Sequence, residues 1–288
     1  MKVAVIGKLG CHIECLAFLL EMYKNNTSNM DVYISRDANK YNWLEYYLTI
    51  FNFNIIYDNF NEDILYNYDK IFKLTSNDKC LDEEKIISIL HLDAKPQRNC
   101  KSEKYISLTP YINGNNIYYT FPIYQPIIMN CSKNKIITMI GYYNDNNIDN
   151  DLLEFINLNK NYTFNFIIWG GKHDKLKNIK NVNLYYFVKT NIMIDILNNS
   201  KYVLSKKYIN YDRFSGQLGL AISHEIPLII DIRTKNNYNL PGITFNKNYC
   251  EIDILDDITD EKYNSLKNEI KLVKDNILET NKQIFKKF

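Results

Sequence analysis

Phosphate chemistry is the first thing the residue types permit, at Ser215-Gly216-Gln217-Leu218-Gly219. There a small polar residue and glycine feed an apolar helical run, which leads through His224, Glu225 and Pro227 into Leu228-Ile229-Ile230-Asp231. A helix start presents unpaired backbone N–H groups and a partial positive charge, so phosphates bind there and glycine lets them come close. Arg213 stands two residues upstream, and Lys206 and Lys207 follow the preceding apolar run. Arginine grips phosphate in a bidentate fork, and lysine acts as a point charge. The same pattern also fits a plain cap by Ser215 with Arg213 in solvent. Two further polar clusters follow apolar runs: Gly7-Lys8-Leu9-Gly10-Cys11-His12 and His91-Leu92-Asp93.

These groups need a frame, and the sequence supplies one. Lys2 to Ile6 is a β-rich run ending at Gly7, and Ile13, Leu16, Ala17 and Leu20 then share a helical face. Strand, glycine turn and amphipathic helix open a Rossmann-like unit. Further strands are expected at Asp31–Ile34, Asn54–Tyr57, Lys70–Leu74, Ile86–Leu92 and Tyr105–Leu108, with a helix marked by Trp43, Tyr46, Tyr47 and Ile50. Asp82 is placed to cap a short helix with Glu83 and Glu84 in its first turn. Residues 109–133 break the rhythm with Pro110, Gly114, Pro122 and Pro126, which suits a linker with a hairpin through Ile117 to Phe121.

The alternation then restarts. Strands are expected at Lys135–Ile140, Phe164–Trp169, Asn183–Val188, Tyr202–Leu204 and Ile226–Ile230. Helical faces lie at Leu152, Leu153 and Ile156, at Ile192, Ile196 and Leu197, and from Ser215 to His224. Strands alternating with helices imply parallel sheets with right-handed crossovers. Thr259 can cap a long helix with an apolar stripe of Leu266, Ile270, Val273, Ile277 and Ile284. The expected division is therefore an N-terminal Rossmann-like domain over 1–125, a second over 126–258, and a C-terminal amphipathic helix over 259–288 that crosses back to the first domain or packs on a partner.

Composition narrows the partners. With 35 Lys and Arg against 33 Asp and Glu, the formal charge is only +2, and the lysines are scattered rather than gathered in a stripe. Nucleic acid is thus not an expected partner. No stretch approaches about 18 apolar residues, so no transmembrane segment is expected, and the opening apolar run is too short for a signal-peptide core. Six scattered cysteines without a Cys-x-x-Cys pair fit reduced thiols in the cytoplasm. Cys11-His12 with Cys15 resembles one corner of a metal site, but no second cluster completes it. Asp145-Asn146-Asn147 and Asp256-Asp257 match an Asp-x-Asp metal motif poorly. No metal and no cofactor are called for. A dehydrogenase is disfavoured, because the first turn lacks Gly-x-Gly-x-x-Gly.

The ordered set from Ile136 to Ile230 resembles the C-terminal domain of GT-B-type glycosyltransferases, over about 100 residues. That resemblance implies two Rossmann-like domains facing a central cleft and a metal-independent transferase using a nucleotide-diphosphate sugar as substrate. It implies that Gly141-Tyr142 is a donor phosphate loop, that Gly170-Gly171-Lys172 lies near the donor, and that Phe187-Val188 reads the base. Ser215-Gly216, with Gln217 following, becomes the diphosphate-binding helix start, with Arg213 or Lys206 assisting. The acceptor, whether glycan, lipid, protein or small molecule, would rest on the first domain. An inverting reaction there needs a base within hydrogen-bond reach of the acceptor hydroxyl, for which His12, His91 and Asp93 are the candidates.

Two departures stand out. Many retaining members carry a Glu just before the glycine-rich helix start and another near its end; Ser215 occupies the first place, and Glu225 falls at the turn into the strand. Tyr142 and Tyr143 follow Gly141 where those members place Arg and Lys. A nucleotide-sugar-binding protein without activity, and a nucleotide-sugar epimerase of the related two-domain type, therefore stand as alternatives to the transferase.

Overall fold

The computed structural model describes residues 1–7, 13–25, 27–34, 43–57, 66–74, 84–90, 104–111, 114, 116–127, 134–207, 214–252 and 255–288. Contacts divide the chain into two compact units. One comprises Met1–Gln125, Asn210–Gly216 and Asn276–Phe288, the other Pro126–Ile209 and Gln217–Asp275.

In the first unit the described elements are β1 (Val3–Gly7), α1 (Ile13–Met22), β2 (Met30–Tyr33), α2 (Trp43–Leu48), β3 (Asn54–Ile56), β4 (Lys70–Leu74), β5 (Ile86–Leu90), β6 (Lys104–Ser107) and β7 (Ile117–Tyr119). The strands form one parallel sheet in the order β3-β2-β1-β4-β5-β6-β7. Val3, Ala4, Val5 and Ile6 of β1 are buried, as are all five residues of β5. Continuous apolar runs are what strands covered on both faces require. The strand order reverses between β1 and β4.

The hairpin expected through Ile117 is overturned. β7 pairs parallel with β6, Tyr105 opposite Ile117. Tyr105 N donates to Asn116 O (2.8 Å) and Thr120 N to Ser107 O (2.9 Å). Asn116, at φ +61°, stands immediately before β7. Residues 120, 121, 123 and 124 beyond it are buried.

The second unit contains β8 (Ile136–Gly141), α3 (Asn150–Leu158), β9 (Thr163–Ile168), α4 (Asp174–Lys177), β10 (Val182–Tyr186), α5 (Thr190–Asn198), β11 (Tyr202–Leu204), α6 (Gly216–Ser223), β12 (Leu228–Asp231), α7 (Ile232–Tyr238) and β13 (Ile243–Phe245). Its sheet is also parallel, in the order β10-β9-β8-β11-β12-β13. One face packs Met139, Phe164, Phe166, Tyr202 and Leu204 against Leu152, Phe155 and Ile156 of α3. Helix α7 and β13 escape a reading by apolar period, because Ile-Arg-Thr-Lys-Asn-Asn-Tyr has no stripe. Local chemistry makes the helix instead: Asp231 accepts from Thr234 N (3.0 Å), and Asn239 ends it at φ +50°.

The last helix, α8 (Asp260–Phe285), is capped by Thr259, whose Oγ1 accepts from Lys262 N (3.2 Å). Its buried face differs from the expected stripe. Leu266 and Ile270 are buried, but Val273, Ile277 and Ile284 are only partly so, and Lys274, Asn281 and Phe285 complete the row. In the first unit, Phe285 packs on Phe18 (5.3 Å between ring centroids) and Phe72 (6.0 Å), and Asn281 Nδ2 donates to Phe121 O (2.8 Å). No helix among the described residues is long and apolar enough to cross a membrane.

Candidate functional site

In an open parallel sheet, the crevice for a ligand lies beyond the carboxyl ends of the strands, where the strand order reverses. In the second sheet that point falls between β8 and β11. Most of the described candidates follow these strands or their neighbours: Gly141 and Tyr142 at the end of β8, Gly170, Gly171 and Lys172 after β9, Val188 after β10, and Lys206 after β11. Ser215 precedes α6, and Gly216 and Gln217 open it.

Gln217 ties the two switch-point strands together. Its carboxamide Nε2 donates to Ile140 O of β8 (2.8 Å), and its Oε1 accepts from Lys206 N after β11 (3.1 Å). The side chain is 3% exposed. One buried amide therefore satisfies two backbone groups at strand ends and pins the first turn of α6 over the reversal. Such groups, left unpaired, cost about 1–3 kcal/mol each.

The loops after β8 and β9 interlock through glycines. Gly141, Gly170 and Gly171 have φ of +148°, +132° and +104°, conformations that side chains disfavour. A methyl group on Gly171 would meet Tyr143 O at 2.2 Å. Hydrogen bonds fasten the same loops: Asp145 N to Lys172 O (2.9 Å), and the buried His173 Nε2 with Tyr143 O (2.7 Å). Asp145 also accepts from Asp174 N (3.1 Å) and Lys175 N (3.0 Å), capping α4. The Asn144–Asn147 turn is closed by Asn144 Oδ1, which accepts from Asn146 N (3.0 Å) and Asn147 N (3.1 Å).

Gly170 does something different. A methyl group there would stand 3.4 Å from Tyr142 Cε2 and 3.8 Å from Phe187 Cζ. Both rings are exposed, Tyr142 at 57% and Phe187 at 44%. Two exposed aromatic rings thus converge on a position that has no side chain. Trp169 lies beside Phe187, with centroids 6.4 Å apart. Phe187 is held at φ +47°, where a bulky residue is a genuine outlier, and its N–H donates to Ile168 O (3.0 Å). Strain of this kind gathers at ligand sites. The signal in the sequence was only the juxtaposition of Gly-Gly and Phe-Val after successive strands.

The adjacent lysines part company. Lys207 pairs with Asp151 and, at 3.6 Å, with Asp149; it also lies 4.6 Å from the Tyr249 ring centroid. Lys206 Nζ lies 3.5 Å from Tyr142 O and 5.5 Å from the Tyr143 ring centroid. Burial lowers the Lys206 ammonium from its usual value, partly opposed by Asp149. A partly desolvated cation beside Tyr142 suits a phosphate better than one already paired with two carboxylates. Glu225, at the turn after α6, is engaged with Lys274 (2.9 Å).

His12, His91, Asp93 and Arg213 lie outside the described residues, as do Asp82, Glu83 and Cys11. Among the described residues no three of His, Cys, Asp and Glu gather as a metal set.

No protein-family model matches the chain, and no curated protein matches it in sequence. Solved structures do match in fold. HepE from Anabaena, in complex with UDP and glucose, has a TM-score of 0.68 at 9% identity, over 100% of this chain and 98% of that one. The glycosyltransferase SnogD from Streptomyces nogalater scores 0.59 at 10% identity, over 100% and 99%. The UDP-GlcNAc 2-epimerase of Methanocaldococcus jannaschii, in complex with UDP-GlcNAc and UDP, scores 0.51 at 13% identity, over 87% and 90%. Identities this low speak for fold alone, and on that ground the chain is an α/β protein of two parallel-sheet, Rossmann-like domains with the GT-B-type fold.

Proposed function

We propose that the chain is a glycosyltransferase whose donor is a nucleotide-diphosphate sugar, bound beyond the carboxyl ends of β8, β9, β10 and β11. The observation that carries this reading is the convergence of Tyr142 and Phe187 on Gly170, on the same sheet edge as the α6 start that Gln217 ties to β8 and β11. The slot over Gly170 takes the planar base, with Val188 beside it. The N–H groups of Ser215, Gly216 and Gln217, with Lys206 and Arg213, take the diphosphate. The loops at Gly141 and at Gly171-Lys172 line the path between.

In the reaction the acceptor oxygen bonds to the anomeric carbon. The bond from that carbon to the diphosphate oxygen breaks, and its electron pair leaves on the nucleoside diphosphate. Helix N–H groups and cations aimed at the developing charge stabilise it without a divalent ion. The acceptor proton passes to a base, for which His12, His91 and Asp93 remain the candidates. The acceptor is a glycan, lipid, protein or small molecule, and the setting is cytoplasmic.

The M. jannaschii structure supports a second reading, an epimerase acting on the nucleotide sugar itself. Incubation with donor alone separates the two. A transferase leaves the sugar's configuration intact, whereas an epimerase converts it. Calorimetry with a panel of nucleoside diphosphates and nucleotide sugars tests both, since neither survives an absence of binding at millimolar ligand.

A further inference from the structure

Helix α6 carries the proposed diphosphate site at its start, and its other end is built in an unusual way. Glu225 N donates to Ile222 O (3.1 Å) and Ile226 N to Ala221 O (2.9 Å). This is the paired 5→2 and 6→1 closure in which the residue after the cap turns left-handed, a place that usually holds glycine. Here it holds Glu225 at φ +56°. The Glu225 carboxylate accepts from Lys274 Nζ (2.9 Å), and the same ammonium donates to Ser223 O (2.8 Å), the last carbonyl of α6. Lys274 is 1% exposed, on α8. His224, between these two acceptors, is buried, and its Nδ1 pairs with Asn198 Oδ1 at the end of α5 (2.9 Å).

We infer that Lys274 is a positioning residue for the nucleotide site, acting through α6. Its cation sits where the negative end of the helix dipole lies, so it stabilises the same dipole whose positive end faces the proposed phosphate. It also holds Glu225 in a backbone conformation that this residue would otherwise avoid. The helix has only eight residues, about two turns, so little intervening structure separates its two ends. When the far end loosens, Gln217 loses its hold on Ile140 and Lys206. This inference rests on the proposed nucleotide site for its affinity consequence, and on the helix geometry alone for its structural one.

The test compares Lys274→Met with Tyr263→Leu, a second buried substitution on α8, at the ring contact with Tyr202. Hydrogen exchange on the unliganded chain is read first. Lys274→Met is expected to speed exchange of the α6 amides at least tenfold more than that of β8 and β9, whereas Tyr263→Leu shows no such selectivity. UDP affinity, read by calorimetry, is expected to fall at least tenfold in Lys274→Met and less than threefold in Tyr263→Leu. The double variant Lys274→Met/Glu225→Gly should lie closer to wild type in both readouts, because glycine accepts the left-handed backbone and the unpaired carboxylate is gone. Equal α6 exchange in the two single variants would overturn the inference, as would unchanged UDP affinity in Lys274→Met. Selective loosening of α6 in a chain that does not bind UDP at all would uphold the helix geometry and refute the nucleotide site instead.

Discussion

Two adjacent glycines give the sharpest separation of scaffold from site. Gly171→Ala places a methyl group 2.2 Å from Tyr143 O and 2.9 Å from Asn144 Cβ, and the first of these is backbone that cannot swing away. Residue 171 also sits at φ +104°. Strained backbone costs about 1–3 kcal/mol, and overpacking adds about 1–3 kcal/mol. Gly171→Ala is therefore expected to lose roughly 2–6 kcal/mol of stability. Gly170→Ala meets only the exposed rings of Tyr142 and Phe187, at 3.4 and 3.8 Å, so its stability loss is limited to about 1–3 kcal/mol of backbone strain. Its methyl group, however, occupies the slot assigned to the base. Loss of stacking is worth about 1–3 kcal/mol, so UDP affinity should fall by about fivefold or more. Denaturant titration gives the stabilities and calorimetry the affinities. Wild-type UDP binding by Gly170→Ala, or equal destabilisation of the two variants, would rule out a base slot at Gly170 distinct from the scaffold contact at Gly171.

Three further outcomes are expected. Gln217→Leu leaves Ile140 O and Lys206 N without their side-chain partner, lowering stability by about 1–3 kcal/mol and UDP affinity with it, as thermal melts with and without UDP would show. Lys206→Ala should weaken UDP binding and flatten its salt dependence with little change in melting temperature, whereas Lys207→Met, which strips Asp151 of its cation, should do the reverse. His224 is pushed down to about 3 by burial and by Lys274. Below the ordinary histidine value of about 6.5 the unfolded chain therefore binds the extra proton, and stability falls on acidification toward pH 3 by at most ~1.4 kcal/mol per pH unit. Denaturant titrations from pH 7 to 5 should show a shallower slope for His224→Gln.

Much of the fold was legible because buried parallel strands announce themselves. Val3–Gly7, Ile136–Gly141 and Tyr202–Leu204 are short apolar runs between helical periods, and a glycine closes two of them. What failed was direction and local chemistry. Nothing in Ile117-Tyr118-Tyr119 distinguishes a hairpin from a parallel edge strand; the direction shows only in the pairing of Tyr105 with Ile117. Polar α7 is specified by the Asp231 cap rather than by a stripe. On α8 the sequence favoured Val273 and Ile277, yet Lys274 is the buried residue, because its ammonium finds Ser223 O and Glu225 across the sequence. At the candidate site, Gly170, Gly171 and Ser215-Gly216 were legible as glycine-rich strand and helix ends. The ion pairing of Lys207 was not, since its partners Asp149 and Asp151 lie some 55 residues away.

The most direct test of the nucleotide site is a crystal structure of the chain with UDP. The base is expected between Tyr142 and Phe187 over Gly170. The diphosphate should lie within hydrogen-bond reach of the Gly216 and Gln217 N–H groups and of Lys206 Nζ. UDP bound at another edge, or at this edge with its base away from both rings and its diphosphate away from α6, would contradict it.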